Sequence, residues 1–186
     1  HRTVASGVIP SAFRIAVRLG IMINRLVLRW GGAQTIPVHQ EIINRDGYVW
    51  WGWWAKSDQE FFPHDWVERA TAEIAKNGSI KVGLVSRKDA RYALGFCEEV
   101  SFAADGSRSP APNDGASTPD YYRPDHCGAW FRLSRIDSLT IDEYLREFGE
   151  VPVGDATLYL AERDEPTGAT TLYPRPNWSF EQMGCN

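Results

Sequence analysis

Residues 47–56 read GYVWWGWWAK, and tryptophan at positions 50, 51, 53 and 54 around one glycine leaves the backbone few options. Aromatic and β-branched side chains between a glycine and a polar Ser57-Asp58 turn fit a strand and little else. Alternation then puts Val49, Trp51 and Trp53 on one face and Tyr48, Trp50, Gly52 and Trp54 on the other. The first face is expected to be core. The second is expected to be open, with Gly52 a bare floor between two indoles where a ligand or another backbone can approach.

The flanking sequence alternates strands with short helices. FRIAVRL (13–19) has the period-two pattern of a half-buried strand, with a helix bearing Arg14 and Arg18 as the rival reading. NRLVLRW (24–30) is a second strand, broken by Gly31-Gly32. Thr35, Pro37, Val38, Ile42 and Ile43 predict a short helix that Gly47 ends in the left-handed conformation. After the tryptophan strand, Pro63 suits a first helical turn, Val67, Ala70, Thr71 and Ile74 recur at helical spacing, and Asn77-Gly78 is the stop.

SIKVGLVS (79–86) and ARYALGFCEEVSFA (90–103) alternate as sheet strands, and CGAWFRLSRI (127–136) resumes the sheet. Thr140 and Glu143 form a capping box for a helix carrying Ile141, Tyr144, Leu145 and Phe148, and ATLYLAER (156–163) is the last expected strand. Residues 104–120, rich in Gly, Ser, Pro, Asn and Asp, are expected to be an exposed, mobile loop. With so many direct strand-to-strand steps the order excludes a doubly wound parallel sheet and predicts a mixed α+β fold. The organisation expected is a basic extension or extra strand at 1–23, one α+β domain at 24–163, and an irregular tail at 164–186.

Charge and cysteine usage narrow the partners. The net charge is −4, yet residues 1–40 hold Arg2, Arg14, Arg18, Arg25 and Arg29 and no acid, which leaves −9 on the remainder. An acidic body argues against sequence-blind binding of long nucleic acid and permits a pocket that reads one base or nucleotide. Three cysteines without a CxxC pair indicate neither a disulfide scaffold nor a zinc knuckle, so a reducing cytoplasm is expected and neither a metal nor a cofactor. No apolar run approaches the ~18 residues of a membrane span.

A base held between two rings needs walls ~7 Å apart, whereas residues four apart on a strand are ~13 Å apart. Trp50 and Trp54 therefore make a wide slot, and the second wall falls to Tyr121, Tyr122, Trp130 or Trp30. Lys56, Arg123 or Asp125 can supply a polar edge, and Arg87, Lys88 and Arg91 can hold phosphates. The bland reading of the same residues is four indoles packed under helices and a solvated basic loop.

Together, the tryptophan strand, its helix, SIKVGLVS, ARYALGFCEEVSF and the later YYR and GAWFRL resemble the PUA-like superfamily, with EVE and YTH modules the most similar. That resemblance, over about residues 24–163, implies a barrel-like sheet flanked by helices and an aromatic cage reading modified bases in RNA or DNA. The lysine-serine-glutamate opening of EVE modules is replaced here by AKSDQE, which keeps Lys56 and Ser57 and shifts the acid to Asp58 or Glu60. The pattern also looks similar to sensor modules joined to effectors in bacterial antiviral defence, where the ligand is a nucleotide.

The leading expectation is a binding module, without catalytic residues, for a nucleobase or nucleotide. One alternative is a protein-interaction or structural module with an exposed tryptophan patch. Another is a hydrolase or nuclease built from scattered His39, Glu41, Asp65 and Asp125, since no GxSxG, GxxxxGK[ST], HExxH or GxGxxG is present.

Overall fold

A computed structural model describes residues 25–54, 62, 64–86, 88–153, 156–163 and 170–174. The expected strand at 13–19, Lys56, Pro63, Arg87 and the ends of the chain lie outside the described residues. Among the described residues nine strands and three α-helices run in the order β1 (Arg25–Trp30), α1 (Thr35–Asp46), β2 (Val49–Trp53), α2 (His64–Asn77), β3 (Ile80–Ser86), β4 (Tyr92–Ser101), β5 (Ser109–Pro110), β6 (His126–Cys127), β7 (Ala129–Leu139), α3 (Ile141–Phe148), β8 (Leu158–Arg163) and β9 (Thr170–Pro174). The fold is mixed α+β. Seven strands form one sheet in the order β2-β7-β4-β3-β1-β8-β9, and β5 with β6 forms a small second one. β1 and β3 are parallel, Leu26 opposite Val82, and the remaining pairs are antiparallel.

Local chemistry accounts for the boundaries. Gly47, at φ +84°, closes α1 by donating its N–H to the Ile43 carbonyl, and Gly78 at the same φ donates to Ile74 after α2. The Thr140–Glu143 capping box satisfies the first N–H groups of α3 in both directions. β9 corrects the reading of 164–186 as wholly irregular: Thr170–Pro174 pairs with β8.

The period-two patterns sort side chains into two cores on opposite faces of the sheet. One face joins Leu26, Leu28, Trp51, Trp53, Phe131 and Leu133 with Ile42 and Ile43 of α1 and Trp66 and Ala70 of α2. The opposite face packs Val27, Val85, Tyr92 and Leu94 under Tyr144 and Phe148 of α3. Gly83 lets α3 come close, since a Cβ there would stand 2.9 Å from Phe148.

Residues 104–120 depart from the expected loop. Pro112–Gly115 forms a 3-10 turn, Ala111, Ser117 and Thr118 are buried, and the Ser117 carbonyl accepts the N–H of Trp50. The segment has few apolar residues of its own, but it closes the free edge of β2 and gains its order from those hydrogen bonds. Asn113, Asp114 and Ser117 take φ between +52° and +55°, and the Ser117 hydroxyl ties the segment to α1 through a 2.8 Å hydrogen bond to Asp46. The Arg45 guanidinium, and after it that contact, hold the Asp46 carboxyl down at about 2.

Candidate functional site

A cavity of about 600 Å³ opens where β1 ends, α1 begins and β2 ends. Its floor and walls carry Trp30, Trp51 and Trp53, each 4% exposed or less. Trp54 and Tyr121 stand at its mouth, 49% and 42% exposed. Tyr122 is buried and lies between the mouth rings, 4.8 Å from Trp54 and 4.5 Å from Tyr121. Polar groups enter from Arg29, Gln34, Thr35, Lys88 and Thr157.

Several of these side chains have little freedom. The Trp53 indole donates to the Thr157 hydroxyl at 3.1 Å, which fixes the ring from a residue over a hundred positions away. Arg29 donates to the Pro152 carbonyl and lies over the Tyr159 ring. Arg91 sits over Trp30 at 5.9 Å. Behind the wall, His39 is fully buried with its ring 4.4 Å from Trp51, and Tyr122 and Tyr121 meet it edge-on at 5.8 and 6.4 Å. His39 Nδ1 lies 2.7 Å from the Thr35 carbonyl, so that nitrogen carries the proton. Burial pushes the imidazole down from 6.5 to about 4, against the opposing pull of that hydrogen bond, so it is neutral at pH 7.

Burial also raises the Tyr122 phenol well above its usual value, and raises that of Tyr121. Both hydroxyls therefore stay protonated, able to donate and accept. Aromatic faces, neutral donors and a cation at the rim can hold a planar group by stacking and a negative group at its edge.

The expected site residues divide. Gly52, Trp54, Tyr121, Tyr122 and Lys88 do line the cavity, with Trp30 as the added wall. Trp50 does not: it is 2% exposed and packs with Ala111, Tyr122, Cys127 and Trp130 on the other side of β2. Gly52 is no open floor on that side, because a Cβ would meet Cys127 Sγ at 2.8 Å and the Trp130 ring at 2.9 Å. Trp130 is fully buried, donating to the Ser109 carbonyl at 3.0 Å.

Arg123 braces the turn rather than the cavity, bonding the Gly115 carbonyl and pairing with Asp120 at 3.2 Å. Arg91 pairs with Asp89 at 3.5 Å. Trp51 and Trp53, expected to be core only, are both core and cavity wall: each belongs to the core under α1 and α2 and also lines the cavity. Thr157 escaped the site reading, and His39 entered it only among the scattered residues of the hydrolase alternative, not as a buried support of Trp51; the i, i+4 spacing of Thr35 and His39 was the one available signal for that.

Among the described residues no group of three His, Cys, Asp or Glu side chains could hold a metal ion, and no helix is long and apolar enough to cross a membrane.

A mixed α+β sheet with an aromatic-lined cavity at its rim is a scaffold with room for a flat ligand. A family model described as Pua-like matches residues 26–159, from the second residue of β1 to the second of β8, and the chain belongs to that family. No curated protein and no solved structure matches it.

Proposed function

We propose that the cavity binds a nucleobase, carried by a nucleotide or a nucleic-acid strand, by stacking it among Trp30, Trp51 and Trp53. Tyr122, Trp54 and Tyr121 close the mouth, and Lys88 is placed to meet a phosphate. The observation that carries this reading is the cavity itself, about 600 Å³ with six aromatic residues in its lining. That volume lies within the ~300–1,000 Å³ of typical small-ligand sites. Membership of a family whose domains generally bind nucleic acids supports the same reading.

Of the seven described tryptophans only Trp54 is exposed, so among the described residues the exposed aromatic area is two rings bordering a cavity rather than a broad patch for a protein partner. Stacking contributes about 1–3 kcal/mol per base, which alone leaves one base at millimolar affinity or weaker, so micromolar binding needs polar contacts at its edge as well. The test is tryptophan fluorescence titrated with nucleosides, nucleotides and short modified and unmodified oligonucleotides. Saturable quenching is expected, weakened in a Trp51→Phe variant that unfolds cooperatively at a lowered midpoint and is therefore folded under the titration conditions. A silent panel with folded protein would overturn the reading.

A further inference from the structure

The aromatic residues of the cavity fall into two tiers. Trp30, Trp51 and Trp53 are enclosed, at 4%, 2% and 4% exposure, whereas Trp54 and Tyr121 present nearly half of their surfaces to solvent at the mouth. The buried Tyr122 ring touches both outer rings, with centroids at 4.8 and 4.5 Å. Exposed indole and phenol faces held against a buried ring are preorganised stacking surfaces, since little side-chain freedom is lost when a flat group lands on them.

Lys88 also lines the cavity, exposed on the turn between β3 and β4. That turn is held by Ser86, whose hydroxyl accepts the N–H of Asp89 at 3.1 Å and whose own N–H bonds the Arg91 carbonyl at 3.0 Å. A cation on a braced turn beside two groups of aromatic rings offers the three kinds of contact that one dinucleotide step needs: base, phosphate, base.

We propose that the site takes two consecutive nucleotides of a single strand, the first base enclosed by Trp30, Trp51 and Trp53, the second stacked on the Trp54–Tyr121 rim, and the linking phosphate at Lys88. This rests on the base-binding reading above and adds the class of ligand: a short single-stranded step rather than a mononucleotide.

Calorimetric or fluorescence titrations of the whole chain with nucleosides, nucleoside 5′-monophosphates, dinucleoside monophosphates and trinucleotides, in ribo and deoxyribo forms, test it. One added stacked base predicts that the preferred dinucleoside monophosphate binds about 5- to 150-fold tighter than its component nucleoside. It should also outbind the more highly charged 5′-monophosphate, which a purely electrostatic gain cannot produce.

A third nucleotide is expected to add less than about threefold, below the gain of one stacked base. Trp54→Ala and Tyr121→Ala should lower the dinucleotide-to-nucleoside ratio, with unfolding midpoints checking that each variant is folded. Lys88→Gln should reduce the slope of log K against log salt by about 0.7, the loss of one phosphate contact on a single strand.

Nucleosides that bind through Trp51 with no gain from the second base would overturn the two-tier proposal and leave the base-binding reading standing. Trp54→Ala weakening nucleoside and dinucleotide equally would do the same. If neither nucleosides nor dinucleotides bind, both readings fall together.

Discussion

The imidazole of His39 lies 4.4 Å from the Trp51 ring, inclined at 38°, with no solvent reaching it. One nitrogen is committed to the Thr35 carbonyl, and the other, Nε2, has no partner among the described residues. Protonation would place a charge in this enclosed layer. With the folded value lowered from 6.5 to about 4, the unfolded chain binds the proton more readily between those values. The stability linked to His39 is therefore fully present above pH 6.5 and lost as pH falls towards 4, by about 3 kcal/mol in all. Urea unfolding at a series of pH values should show this slope in the parent protein and its loss in His39→Gln; parallel curves would contradict it.

Gly52→Ala is expected to destabilise the fold by about 1–3 kcal/mol, because the added methyl meets Cys127 Sγ at 2.8 Å and the Trp130 ring at 2.9 Å. Removing the sulfur in a Gly52→Ala, Cys127→Ala pair should recover part of that loss. An equal cost in both backgrounds would show that Cys127 is not the obstacle.

Thr157→Val keeps the shape of the side chain and removes the partner of the Trp53 indole N–H. A buried donor left unpaired costs about 1–3 kcal/mol, so the unfolding midpoint should fall, while Thr157→Ser restores most of it. Ligand affinity should fall with it, since the indole is a cavity wall.

Trp50 and Trp54 should behave oppositely. Trp50→Ala empties a buried position among Ala111, Tyr122, Cys127 and Trp130 and is expected to cost about 3–5 kcal/mol. Trp54→Ala removes a half-exposed ring and should cost under about 1 kcal/mol. Thermal unfolding of the two variants side by side gives the comparison.

The elements were legible where local chemistry decides them. Gly47 and Gly78 stop helices by a backbone conformation other residues resist, Thr140 and Glu143 announce a cap, and alternation assigns Val49, Trp51 and Trp53 to one face. The site was legible only in part, because it is made by tertiary juxtaposition. The far face of β2 was expected to be open because nothing in residues 104–120 signals burial. That segment is ordered by the edge it covers, through the bond from Trp50 N–H to the Ser117 carbonyl. Once it covers that face, Trp50 is sealed in and the cavity falls to the end of the strand. Thr157 could not be read as Trp53's partner from spacing, for the two meet only when β8 joins β1.

The position of β1 carries a consequence for biosynthesis. It pairs with β3 on one side and with β8 on the other, Leu26 facing Leu160 and Leu28 facing Leu158. A nascent chain thus holds its earliest described strand with one margin unmet until some 130 further residues have emerged, a long-range closure of the kind that slows folding. Chains halted before Leu158 leave that apolar margin available to other molecules, so premature termination or proteolysis there yields a species prone to associate rather than a smaller working domain.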